Sequence, residues 1–164
     1  MLFASRPVGS LIAAASFVSI LAYSSASFAQ SGPFTGLDGA WNGTGTVTLA
    51  DGNSERIRCR ASYKVGSSGG ALQQTLRCAS DSYKFDLSSD VTSSGNNVTG
   101  NWSEASRGVS GQITGTATPG QINVLVQASG FAANLQVATK GNKQSVSMTS
   151  KGEIKSVNIT MNKG

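Results

Sequence analysis

From Gly39 to the C-terminus, apolar and polar residues alternate almost without interruption. In the first run Trp41, Gly43, Gly45, Val47 and Leu49 share one parity, and Asn42, Thr44, Thr46 and Thr48 share the other. A period of two is the mark of a strand with one buried face, because successive side chains point to opposite sides of the sheet. The pattern recurs in Ile57/Cys59/Ala61/Tyr63/Val65, Leu72/Gln74/Leu76/Cys78, Tyr83/Phe85/Leu87, Val98/Gly100/Trp102 and Val109/Gly111/Ile113. It continues through Ile122/Val124/Val126, Phe131/Ala133/Leu135/Val137, Val146/Met148 and Val157/Ile159/Met161. Turn-forming pairs separate the runs, among them Asp51-Gly52, Ser94-Gly95, Pro119-Gly120, Ser129-Gly130, Gly141-Asn142 and Lys151-Gly152. Asp51-Gly52 is expected to make a type I′ hairpin turn, which needs positive φ at both central residues.

These runs predict about ten short antiparallel strands and no helix between them. Tight connections keep each strand beside the next, so the expected topology is an up-and-down meander. A meander of that length removes its unpaired edges by closing into a barrel, here over residues 39–164. A membrane-spanning barrel would carry an apolar outer band with aromatic girdles. Here the polar face of nearly every strand is Ser, Thr, Asn, Gln, Lys or Arg, and only seven aromatics follow residue 29. The expectation is a soluble barrel with its apolar face inward and no membrane span.

The only two cysteines sharpen the register. With a four-residue loop at Ser67–Gly70, Cys59 faces Cys78, Ala61 faces Leu76, Tyr63 faces Gln74 and Val65 faces Leu72. The cysteines then fall on a non-hydrogen-bonded pair, where Cα atoms approach closely enough for a cross-strand disulfide. Closing about twenty residues in this way is worth roughly 3 kcal/mol. The same register sets Arg60 opposite Arg77 on the outer face. Continued across a tight Ser80-Asp81 turn, it sets Leu76 beside Phe85 and Arg77 beside Lys84, with Arg58 diagonal to the row. The row Arg58/Arg60/Arg77/Lys84 reads either as an anion site or as a solvated set partly neutralised by Asp86 and Glu55.

The first residues have a different character. Arg6 precedes a continuous apolar run, Leu11–Ala22, and Ser27-Phe28-Ala29 offers small residues at a cleavage site. This is the layout of a secretory signal peptide over residues 1–29, with 30–38 as a lead-in to the barrel. Export to the periplasm or outside the cell also suits a paired set of cysteines. Without Arg6, twelve Lys and Arg stand against eight Asp and Glu, a net charge of +4. That balance favours anionic partners such as glycolipid or glycan. The cations are too scattered, and the aromatics too few, for nucleic acid.

The segment Gly39-Ala40-Trp41-Asn42-Gly43-Thr44-Gly45 carries a Gly-x-Trp-x-Gly-x-Gly pattern at the start of the first long strand. It resembles the calycin group of lipocalins, fatty-acid-binding proteins and avidins, and the first strand of nitrobindin-type haem barrels. The resemblance implies a barrel whose one end is plugged by Trp41. The chain as a whole is similar to uncharacterised exported proteins of rhizobia-like bacteria, which implies export and does not supply a function. With no histidine in the chain, the iron ligand of the haem barrels is absent and no cofactor or metal is expected. In lipocalins an arginine from the last strand stacks on the tryptophan; that region holds only Lys155 and Lys163.

The missing histidine also removes the commonest acid–base group and every histidine-based triad, so the chain is expected not to be an enzyme. Glu104, inward by parity, is expected to close a hairpin by a salt bridge to Arg107. Two readings remain. In the first, Trp41, Tyr63, Tyr83, Phe85, Trp102 and Phe131 line an interior that binds a small apolar or amphipathic ligand. Gly43, Gly45, Ala61, Gly100, Gly111, Gly115 and Ala133 leave it room; the same lining also reads as plain core packing. In the second, the protein is an interaction component of the cell envelope working through its basic outer face.

Overall fold

A computed structural model of the protein describes residues 31–164, so the expected signal peptide lies outside the described residues. Ten strands follow one another: β1 (Gly39–Leu49), β2 (Ser54–Val65), β3 (Ala71–Ala79), β4 (Lys84–Ser94) and β5 (Asn97–Glu104), then β6 (Val109–Thr118), β7 (Gln121–Ala128), β8 (Phe131–Lys140), β9 (Lys143–Ser150) and β10 (Ile154–Lys163). Each pairs antiparallel with its neighbours in the chain, and β10 returns to β1 to close the barrel. The fold is the expected all-β meander, and its core is the inward parity: Val47, Ile57, Cys59, Ala61, Val98, Ile113 and Ile159 are buried. The outward parity is polar, the reverse of a membrane-spanning barrel. Among the described residues no helix is long and apolar enough to cross a membrane.

The pairing of β2 with β3 is as the cysteines require: Cys59 faces Cys78, Ala61 faces Leu76, Tyr63 faces Gln74 and Val65 faces Leu72. The disulfide is formed across Cα atoms 4.1 Å apart. The next register differs from expectation by two residues. Leu76 faces Leu87 and Arg77 faces Asp86, while Phe85 faces Cys78 and Lys84 faces Ala79. The turn is longer than the dipeptide Ser80-Asp81 suggests, because Ser80 N–H bonds the Tyr83 carbonyl at 2.8 Å. Glu55 on β2 pins it, accepting from the Ser80 hydroxyl at 2.7 Å and from Ser82 N–H at 3.3 Å. A slip of two keeps every side chain on its face, so the core is undisturbed and only the neighbours change.

Two further expectations are corrected. The Asp51-Gly52 turn is not type I′, since Gly52 alone has positive φ there; Asp51 instead accepts from the backbone and side-chain amides of Asn53. The inward glycines do not open room in the lumen. A Cβ at Gly43 would strike the Thr160 carbonyl of β10, and one at Gly111 the Gln127 carbonyl of β7. They are the points where coiled strands come too close for a side chain.

Candidate functional site

The turns β1–β2, β3–β4, β5–β6, β7–β8 and β9–β10 lie at one end of the barrel, and the other four turns lie at the opposite end with the lead-in and C-terminus. The second end is shut. The lead-in crosses it, held by Gly32 N–H to Ser68 O at 2.8 Å and Phe34 N–H to Gly69 O at 3.1 Å. This sets Phe34 and Leu37 into the barrel against Trp41; Phe34 and Trp41 are wholly buried. The Trp41 indole donates to the Leu37 carbonyl at 2.8 Å and meets Tyr63 edge-on at 6.3 Å. Lys163 stands over the indole at 5.8 Å and bonds the Gly36 carbonyl, so a lysine takes the place of the expected stacked arginine.

Above this plug the Tyr63 hydroxyl donates to Gln144 Oε1 at 2.8 Å, and Gln144 Nε2 donates to Thr139 Oγ1 at 3.1 Å. Burial pushes the Tyr63 phenol up to about 12, against a smaller opposing effect of its bond to Gln144. Tyr63 therefore stays neutral, and the deepest polar groups satisfy one another. Among the described residues no buried side-chain polar atom lacks a hydrogen-bond partner.

The first end is open. A cavity of about 360 Å³ runs in from it, walled by aliphatic side chains of inward parity including Leu76, Leu87, Val126, Leu135 and Val157. Several of these are only half-buried, because their inner faces look onto the cavity rather than onto one another. Of the six residues proposed to line the interior, Tyr63, Phe85, Trp102 and Phe131 do so. Trp41 belongs to the plug beneath, and Tyr83 sits in the turn before β4, its ring parallel to Phe85 at 6.2 Å. Gly111 explains how Trp102 reaches the mouth. With no side chain there, the indole crosses β6 and donates to the Gln127 carbonyl of β7 at 3.2 Å, meeting Phe131 at 5.9 Å.

The rim carries Glu104 and Arg107, which do not form the expected salt bridge. Glu104 Oε1 accepts from the N–H groups of Asp86 at 2.9 Å and Ser106 at 3.1 Å, and Oε2 accepts from Arg107 N–H at 2.7 Å. Burial raises the pKa of this carboxyl, but the bonds from Asp86, Ser106 and Arg107 outweigh it and hold it below the usual carboxylate range. The Arg107 guanidinium lies over the rings of Phe85 at 5.7 Å and Tyr83 at 6.0 Å. Sequence parity finds Glu104 but not its partners, because backbone donors in a turn leave no trace in residue type.

Outside the barrel, Arg58, Arg60, Arg77 and Lys84 line a single shallow groove of about 720 Å³. The structure thus brings all four predicted cations together, in two rows rather than one: Asn42–Arg60–Arg77–Asp86 and Thr44–Arg58–Ala79–Lys84. Arg77 bonds Asp86 at 3.2 Å, the one ion pair among the described residues.

A closed ten-stranded up-and-down barrel, plugged by a tryptophan at one end and hollow towards the other, is a calycin-like architecture. The barrel is similar to the solved S-type phycobiliprotein lyase of Guillardia theta, with a TM-score of 0.56, 8% identity, and cover of 80% of this chain and 90% of that one. No family model matches the chain. No curated protein matches it either, so the resemblance to exported rhizobial proteins gains no support. The expectation of a non-enzyme is corrected by the same likeness, since the similar barrel is a lyase. That expectation rested on the missing histidine, which says nothing of what a cavity achieves by holding and orienting a ligand.

Proposed function

We propose that the protein binds a small apolar or amphipathic molecule in the interior of its barrel. The observation that carries this reading is the open apolar cavity of about 360 Å³, within the range of ligand sites. Filling it would cover aliphatic and aromatic surface that is now only half-buried, at about 25 cal/mol for each Å² removed from water. The likeness in fold to a phycobiliprotein lyase supports the reading, as a barrel of this architecture that carries an activity. The Cys59–Cys78 bridge supports an oxidising setting, the periplasm or the exterior.

Native mass spectrometry of the protein purified from its own host tests the proposal. A stoichiometric small-molecule adduct, weakened by Trp102→Ala or Phe131→Ala, is the expected result. A clean apo mass, with no uptake of an uncharged apolar fluorophore, would overturn it.

A second reading rests on the outer groove. Four cations around one carboxylate stand on strand positions whose backbones are about 5–7 Å apart along and across the sheet. That spacing suits an anionic glycan or glycolipid headgroup. Retention on immobilised anionic glycan, abolished by Arg58→Gln with Arg60→Gln, would support it; retention unchanged by that double substitution would remove it.

A further inference from the structure

Resting on the interior-binding reading, we infer that the ligand carries a single anionic group, held at the mouth by Arg107 while its apolar body lies inward. Two independent features of the cavity lead there. The first is that the interior makes little polar demand. Its deep end holds Tyr63 and Gln144, bonded to each other, and the side-chain oxygen of Gln74 accepts from Ser89 at 3.1 Å. A polar group driven to that depth would lose its water and gain little beyond the Gln74 amide nitrogen.

The second feature is a cation at the rim whose guanidinium forms no ion pair among the described residues. Arg107 lines the cavity and is exposed. Glu104, three residues earlier at the end of β5, is the carboxylate closest to it in sequence. Both oxygens of Glu104 are instead taken by backbone N–H groups. Asp86, whose N–H donates to Glu104, is itself paired with Arg77 on the outer face. The guanidinium is steadied over two parallel rings, a contact that leaves its in-plane N–H donors free. Planar donors above an aromatic ledge suit a carboxylate, sulfonate or phosphate. The aliphatic wall beneath suits a chain or ring system.

Displacement of N-phenyl-1-naphthylamine, an uncharged apolar fluorophore, from the full chain tests this with dodecanoate and dodecanol near pH 8 as competitors. Dodecanoate is expected to bind the native protein more tightly than dodecanol. Arg107→Gln should weaken dodecanoate about fivefold and leave dodecanol unchanged, the size expected of a partly exposed ion pair. Arg107→Lys should keep most of the preference, and Lys84→Gln, a cation of the outer groove, should keep all of it. If the fluorophore binds but the two competitors act alike, or if Lys84→Gln lowers the preference as much as Arg107→Gln, the inference fails and the cavity reading survives. If the fluorophore does not bind at all, both fail together.

Discussion

The two ends of this barrel are built from the same kinds of residue and put them to opposite uses. At the shut end Trp41 is wholly buried, its indole N–H bonded, Tyr63 edge-on to it and Lys163 over its ring. At the open end Trp102 is half-buried, and it packs on one ring, Phe131, while lining a void. Each tryptophan donates to a backbone carbonyl, so hydrogen bonding does not separate them. Crossing chain does. Among the described residues the lead-in runs over one end only, and the other ends in five hairpin turns with nothing laid across. Side chains are packed where the chain crosses, and the cavity is left where it does not.

The sharpest way to break this comparison is Trp41→Ala. Loss of a fully buried indole should cost about 3–5 kcal/mol, read as a fall in the urea midpoint. A small change would mean that the plug is dispensable. Next in size is the disulfide: Cys59→Ser with Cys78→Ser should cost about 3 kcal/mol by freeing a long loop in the unfolded chain. The bridge joins β2 to β3 on the barrel wall and plugs neither end, so its loss should leave fluorophore uptake intact.

The buried titratable groups set the two ends against each other in pH. Tyr63 holds its proton to about 12, above the ordinary 10. The stability it contributes is therefore complete below pH 10 and lost as pH rises towards 12. Glu104 is held below the ordinary 4.5, so its contribution is complete above that value and lost as pH falls through the folded one. Each of Tyr63→Phe and Glu104→Gln should cost about 1–2 kcal/mol at pH 7. Tyr63→Phe should flatten only the alkaline limb of the stability profile, and Glu104→Gln only the acid limb. Identical profiles for the two variants would dissolve the distinction. The smallest effect on stability is expected from Trp102→Ala, about 1 kcal/mol for a half-buried ring. The same change should lower affinity for N-phenyl-1-naphthylamine about tenfold, which titration of that probe would show.

How far the chain could be read depended on whether the deciding contacts were local. Strand faces, the count of ten and the β2–β3 register follow from period two and from one loop flanked by matched cysteines. The β3–β4 register did not follow, because a carboxylate on a third strand, Glu55, sets the length of the intervening turn. Tyr83 was placed inside by parity, yet the same lengthened turn leaves it on the rim. Alternation places the four cations on one face, but the shifted register sets them in two rows and makes Asp86 the direct partner of Arg77.

Which side of each strand faces the core is thus written in the alternation itself, since each residue's direction is fixed by its immediate neighbours. Which end of the barrel is sealed is not. That depended on Phe34 and Leu37 meeting Trp41, on Tyr63 meeting Gln144 across the lumen, and on the backbone donors that take both oxygens of Glu104. These partners belong to different strands, turns and the lead-in, and only closure of the barrel brings them together.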